Sequence, residues 1–318
     1  VLLIVSDKFD SHADLVQKKL EGKGVDFFRF DLDLDSLRGA FISFSDGVWR
    51  ITQNGRAVTS ICFDSVWCRR PFMELNIEDR VDQSNDFKIW RNEWNRTLLG
   101  LYSSIRSLRW LNSLKNSYRG ENKYYQMELA RSIGFNIPPT LISNDKSTLI
   151  DFARKYDFVV FKVMEQEIYQ VGDQLLGLYA NKITSNDLSR FSCAGENPIF
   201  LQKYIDKAYE VRYTVVDGDH HVCRIDSQAS EISKDDWRRY DVAKTPYTKI
   251  DPPCEVRAMV NSLLEEMGLS FGALDFIVDE EGGWHFLEIN CMGQWLWVEQ
   301  LSGLDISGSI VKWALKKN

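Results

Sequence analysis

The chain contains neither of the glycine-rich phosphate loops that mark many nucleotide enzymes. No G-x-x-x-x-G-K-[ST] and no G-x-G-x-x-G occurs in its 318 residues, so a nucleotide, if one binds, is held some other way. Histidine is scarce, with four in the chain, and the six cysteines (Cys62, Cys68, Cys193, Cys223, Cys254 and Cys291) form no C-x-x-C pair. A zinc site therefore has no ligands at the required spacing. Reduced thiols and a cytoplasmic setting are the expectation. Basic residues are in the minority: 39 Lys and Arg against 46 Asp and Glu leave a net charge of −7. That argues against a general nucleic-acid binder, which needs a basic surface to displace counterions, and leaves only a local basic patch open. No apolar run approaches the roughly 20 residues a membrane span requires, so no membrane partner is expected. No signal-peptide pattern opens the chain, and no internal repeat or low-complexity tract is visible.

What is present is ordinary globular material, 44% hydrophobic and 27% charged, enough for a sizeable core. At roughly 150 residues per domain the length suits about two domains, or one large domain with sub-domains. V-L-L-I-V at 1–5 reads as a buried strand. Leu15, Val16, Lys19 and Leu20 follow in helical rhythm, and V-D-F-F-R-F at 25–30 reads as a second strand. This β-α-β opening predicts a parallel sheet. D-G at 46–47 and N-G at 54–55 mark hairpin turns, and V-W-C-R-R-P at 66–71 closes a further strand. Residues 84–114 read as helical, and the polar stretch at 115–122 is the best first boundary.

A helix is predicted over 122–133, with Tyr124, Met127, Ala130 and Ile133 on one stripe and Gly134 ending it. Strands are expected at 158–164 and 199–205, hairpins at 210–216 with 221–225 and at 271–278 with 284–290, and helices at 255–267 and 305–316.

Three features carry chemistry. Lys162 lies inside an apolar strand, where an unpaired ammonium is costly. It is either an edge-strand lysine that snorkels to water or a phosphate ligand on a rigid strand. In the last hairpin, a turn near Glu281 and Gly282 places Asp275 opposite Glu288, with Asn290 on the same face as Glu288. Opposed carboxylates repel. Oxygen ligands converging in an apolar hairpin suit Mg²⁺, and the alternative is a solvated acidic face. Finally, the strand Gln202, Lys203, Tyr204, Ile205 can offer backbone groups to an adenine edge. Glu210 and Arg212 then share a face, suiting ribose hydroxyls and an anion respectively, or else forming an exposed ion pair of little worth.

Taken in order, these residues resemble the ATP-grasp superfamily, and within it the ribosomal-peptide ligases that mature microviridins and other graspetides. The likeness runs from V-L-L-I-V-S-D and V-W-C-R-R-P through N-K-Y-Y-Q-M-E-L-A-R-S-I-G-F-N-I-P-P-T, L-Q-K-Y-I-D-K-A-Y-E-V-R, D-S-Q-A-S-E and D-D-W-R-R-Y. It ends in F-L-E-I-N-C-M-G-Q-W-L-W-V-E. It implies an α/β (α+β) ATP-grasp fold: an N-terminal parallel-sheet domain over 1–116, a central subdomain over 117–197 and a C-terminal subdomain over 198–318, enclosing ATP. It implies ATP and Mg²⁺ as cofactors, with Lys123 and Lys162 on the ATP phosphates, Gln202 to Ile205 on adenine and Glu210 on ribose. Asp275, Glu288 and Asn290 are the implied Mg²⁺ ligands.

Asp236 and Arg238 match the D-x-R motif that handles the side chains being joined, and Arg212 stands near the phosphates or acyl substrate. Without the match, Asp236 and Arg238 read as a solvated loop ion pair. The implied partner is a ribosomally made precursor peptide, leader plus core, its leader met by about 165–192, where Asp187 fits an acidic contact. Arg69 and Arg70 either face the substrate cleft or cap their strand. Cys291 stands where the family usually has proline, with little effect expected on metal binding. A homodimer is also implied. The alternatives are a small-molecule amino-acid ligase of the glutathione-synthetase type, a nucleotide-gated peptide-binding protein without chemistry, and a maturase of the grasp-with-spasm group.

Overall fold

A computed structural model describes residues 1–73, 84–105, 109–164, 168–171, 174–177, 180–190, 196–229 and 245–316. Its first sheet is wholly parallel, in the order β2 (Phe27–Asp31), β1 (Leu2–Ser6), β6 (Ser65–Cys68), β7 (Arg109–Leu111). The β-α-β expectation is met: the helix Ser11–Glu21 connects β1 to β2, capped by the Asp10 side chain, and buries Ala13, Val16 and Leu20. Leu15 and Lys19 stay at the rim of that face. A small antiparallel sheet of β3 (Phe41–Ser45), β4 (Val48–Gln53) and β5 (Arg56–Thr59) is inserted between β2 and β6. Its turns are the two predicted ones, with Asp46, Gly47, Asn54 and Gly55 all at positive φ, as two-residue hairpin loops require.

The stretch expected to be helical over 84–114 divides. The helix Asn85–Ser104 is capped by Ser84, but Arg109–Leu111 is a strand beside β6. Trp110 and Leu111 supply the apolar residues an added parallel strand needs, and tertiary pairing overrides the local pattern.

The middle of the chain starts with the helix Lys123–Ile133, capped by Asn122 and ended by Gly134 in the left-handed conformation (φ 107°). The stripe differs from expectation at two positions. Tyr124 is exposed, and the residue turned inward instead is Gln126. Its amide donates to the carbonyls of Gly120 (2.7 Å) and Ile289 (2.8 Å) and accepts from the Ile289 N–H (3.1 Å). A second antiparallel sheet runs β12 (Asn181–Ile183), β9 (Val159–Lys162), β13 (Ile199–Lys203), β8 (Thr140–Ser143). The hairpin β10 (Ile168–Val171) and β11 (Gln174–Gly177) and the helix Ser185–Arg190 follow β9.

The last sheet is antiparallel, in the order β16 (Tyr247–Lys249), β15 (Asp219–Ile225), β14 (Tyr209–Val216), β17 (Phe271–Val278), β18 (Trp284–Asn290). It is covered on both faces. Val256, Val260, Leu263 and Leu264 of the helix Cys254–Met267 pack on Val211, Tyr213, Phe276 and Phe286. On the other face Ile306, Ile310 and Trp313 of the helix Ile306–Leu315 meet Val216, Cys223, Ile225 and Ala273. That second cluster also contains Leu2, Ile4, Val16 and Leu20, so the first sheet's helix and the last sheet share one core. No helix among the described residues is long and apolar enough to cross a membrane.

Candidate active site

The expected acidic pairing is present. Asp275 of β17 lies directly opposite Glu288 of β18, and a bulge between Asp275 and Phe276 follows. Such bulges re-aim side chains where a sheet carries function. Two facing carboxylates need cations. Glu288 receives the Lys123 ammonium at 2.5 Å, from the first turn of the helix Lys123–Ile133. Asp275 receives both bonds from one amino group of Arg212, at 2.9 and 3.0 Å, from β14 on its other side. The remaining amino group of Arg212 donates to the Gln294 carbonyl at 2.9 Å. Asn290 stands opposite Ala273 at the end of β18. Two carboxylates and an amide oxygen on adjacent strands form a hard, all-oxygen set, which fits Mg²⁺ sharing its sphere with phosphates.

Glu210 and Arg212 point to one face but do not pair with each other, and neither is exposed, so the reading as a weak surface pair is corrected. Glu210 is bonded to Lys207 at 2.7 Å, with both side chains buried. Lys207 was not singled out in the sequence; it lies in a loop, where periodicity gives no signal.

Lys162 is not on an edge strand, because β9 lies between β12 and β13. The edge-strand part of that reading is corrected, although the ladder with β12 stops at Phe161 and Lys162 is paired on the β13 side alone. The residue is half-buried and its ammonium donates to Gln202 Oε1 at 3.0 Å, while the Gln202 amide donates to Thr140 Oγ1 at 3.0 Å. Along the continuation of β13, the Lys203 N–H donates to the Pro139 carbonyl and the Tyr204 N–H to that of Phe158. The Lys182 ammonium lies over the rings of both Tyr204 (3.7 Å) and Phe158 (4.1 Å), a cation–π sandwich beside the segment that ends in Ile205.

Asp187 and Arg70 are bonded to groups of their own. Asp187 caps the turn before Ser185–Arg190, accepting from the Thr184 N–H (2.8 Å) and hydroxyl (2.7 Å). Those bonds hold its carboxyl below the usual range. Arg70 is bonded to Asp7 and lies 3.7 Å from Asp10. Its neighbour Arg69 reaches the loop after β18, donating to the Met292 carbonyl at 2.6 Å. Asp236 and Arg238 lie outside the described residues.

The loop after β18 is pinned by residues the sequence did not signal. Cys291 donates its N–H to Glu121 at 2.6 Å, and its carbonyl accepts from Asn112 at 2.9 Å. A proline at this position would have no N–H and could not bond Glu121. Gly293 is required by space: a Cβ would lie 2.8 Å from that of Ala273, 2.9 Å from that of Asn290 and 3.0 Å from Arg212 Nη2.

Two family models match the chain. Residues 1–118 match the family model of the MvdD pre-ATP grasp domain, and residues 122–293 match that of the prokaryotic glutathione synthetase ATP-grasp domain. A search of curated proteins gives no match. Among solved structures, the chain is 26% identical to a Chryseobacterium gregarium RiPP-associated ATP-grasp ligase in complex with ADP and a leader and core peptide. That alignment covers 98% of this chain and 96% of the other at a TM-score of 0.88. It is 25% identical to the macrocyclase MdnC bound with precursor peptide MdnA from Microcystis aeruginosa MRC, covering 99% of each chain at a TM-score of 0.86. To the macrocyclase MdnB from the same organism it is 26% identical, over 99% of each chain, at a TM-score of 0.80.

Proposed function

Because the chain belongs to the ATP-grasp family described by the glutathione synthetase domain model, we propose that it is an ATP-dependent peptide ligase that closes macrocycles in a ribosomally made precursor. The observation that carries this reading is the constellation of Asp275 and Glu288 face to face, each held by a cation, Arg212 and Lys123, from a separate segment. Full-length similarity to ligases solved with their precursor peptides supports the substrate class.

Asp275, Glu288 and Asn290 would hold Mg²⁺, which supplies charge neutralisation at the transferred phosphoryl group. Lys123 and Lys162 bind phosphate oxygens, Gln202 to Ile205 line adenine, and Glu210 takes the ribose. An Asp or Glu side-chain carboxylate of the precursor attacks the γ-phosphorus, giving an acyl phosphate and ADP. A Ser or Thr hydroxyl, or a Lys amine, of the same peptide then attacks the acyl carbon. Phosphate leaves, the nucleophile loses its proton, and an ω-ester or ω-amide ring closes.

Arg238 is assigned to the negative charge that develops on the acyl group. Asp236 orients the nucleophile or takes its proton, and Arg212 keeps Asp275 in place. The leader docks on the β10–β11 hairpin and the helix bearing Asp187, and Arg70 faces the core peptide. A separately bound leader raises the effective concentration of the core. In this reading the enzyme is a ligase of the microviridin type that works in the cytoplasm as a homodimer.

The test is intact-mass measurement of a candidate precursor peptide, one encoded next to the gene for this chain, co-expressed with and without the protein. Loss of one water per ring, dependent on ATP and Mg²⁺, is expected. An unchanged mass overturns the peptide reading. The match to the glutathione synthetase domain then favours a small-molecule amino-acid ligase, in which free amino acids trigger ADP release.

A further inference from the structure

The peptide unit joining Gln294 to Trp295 is held at both ends. Its carbonyl accepts from Arg212 Nη2 at 2.9 Å, and its N–H donates to His12 Nε2 at 3.2 Å. Since Nε2 accepts, the proton of neutral His12 is on Nδ1, which faces Asp10 Oδ1 at 3.0 Å. Asp10 is fully buried and is fixed in turn by the Ser6 hydroxyl at 2.8 Å. The His12 ring meets the Trp295 indole edge-on, with centroids 5.0 Å apart. A continuous chain of bonds thus runs Ser6, Asp10, His12, the Gln294–Trp295 peptide, Arg212, Asp275. It starts in the parallel sheet and ends on a carboxylate of the candidate metal site. The Arg212 guanidinium has two anchors here, Asp275 and the Gln294 carbonyl, and its buried Nε finds no hydrogen-bond partner among the described residues.

We propose that His12 is a positioning residue. In its neutral, Nδ1-protonated form it fixes the Gln294–Trp295 peptide, and through that peptide and Arg212 it fixes the orientation of Asp275 toward the bound cation. The first sheet thereby acts on the metal site through one imidazole. This rests on the reading of Asp275 as a Mg²⁺ ligand. Outer partners of a ligand set its orientation, and losing one costs about 10- to 100-fold in metal affinity.

The groups facing His12 are Asp10 on its own turn, Arg69 and Arg70 at the end of β6, and Trp295 from the loop. Burial, aided by Arg69 and Arg70 and opposed by Asp10, holds its imidazole below the ordinary value. The clamp is therefore complete above about pH 6.5. It is lost as the pH falls through the folded-state value, because a protonated Nε2 would point its N–H at that of Trp295.

The experiment uses the full chain, with Mg²⁺ and ADP as probes. ADP affinity is measured by calorimetry with and without Mg²⁺, and exchange of the Trp295 amide is measured by hydrogen–deuterium methods. His12→Phe keeps ring volume and the edge contact but removes the acceptor. His12→Gln can place Oε1 at the acceptor position and does not titrate. His12→Phe is expected to weaken the Mg²⁺-dependent gain in ADP affinity about 10-fold or more and to speed Trp295 exchange. His12→Gln should restore both, and in acid its Mg²⁺ dependence should fall less than that of the wild type, the fall common to both being titration of the ADP phosphate itself. A wild-type Mg²⁺ response in His12→Phe, or equal loss in His12→Gln, overturns the inference while leaving the functional reading intact. Wild-type ADP binding that ignores Mg²⁺ overturns the metal reading itself.

Discussion

The two antiparallel sheets that carry the candidate site are built differently. The C-terminal sheet is packed on both faces, and Tyr213, Phe276, Phe286 and Leu274 in it are at most 1% exposed. The central sheet has one modest cluster, Leu149, Ala153, Val159, Ile183, Leu188, Ile199 and Leu201, and β8 is half-buried along its whole length. The facing acids sit on the first, and Lys162 sits on the second. The division follows from the chemistry each must do. Opposed carboxylates separate unless the backbone holds them, so they require a strand fixed on both sides. A lysine ammonium at the end of a four-carbon stem reaches its partner even when its strand shifts.

Substitutions on the two sheets sharpen this contrast. The largest effect is expected from Glu288→Gln, which should lower ADP formation about 10²- to 10³-fold with an unchanged melting temperature. Lys162→Met should act mainly through a raised KM for ATP, and equal loss of kcat in both variants would break the comparison. Next comes packing. Phe276→Ala should cost about 3–5 kcal/mol of global stability, read by denaturant unfolding. Leu201→Ala should cost about 2–5 kcal/mol, read as faster hydrogen exchange confined to 140–203. Uniform acceleration through β14 and β17 would show that the sheets open together.

The smallest effect concerns thiols. Burial pushes Cys68 and Cys223 up to about 12 and raises Cys291, whereas Cys62 and Cys254 are exposed. Iodoacetamide at about pH 8 should therefore label Cys62 and Cys254 before Cys68, Cys223 and Cys291, because the thiolate is the reactive form. Early labelling of Cys223 or Cys291, seen by peptide mass mapping, would mean that the C-terminal sheet is the looser one.

The amino-acid sequence by itself determined the local features. D-G and N-G set their turns. Two-residue alternation and the D-E-E-G-G turn were enough to place Asp275 opposite Glu288, because register in a hairpin depends on nearby residues alone. Tertiary structure decided which cation each acid receives and how the site is braced. Lys123 meets Glu288 across 165 positions, His12 meets the Trp295 amide across 283, and Asn112 meets the Cys291 carbonyl across 179. It also decided that Lys162 belongs to an interior strand, that Tyr124 yields its inward place to Gln126, and that Glu210 pairs with Lys207. Periodicity reports which face of an element is buried. It carries no information on which remote element covers that face, and each of these bonds is made between elements that only the packed fold brings together.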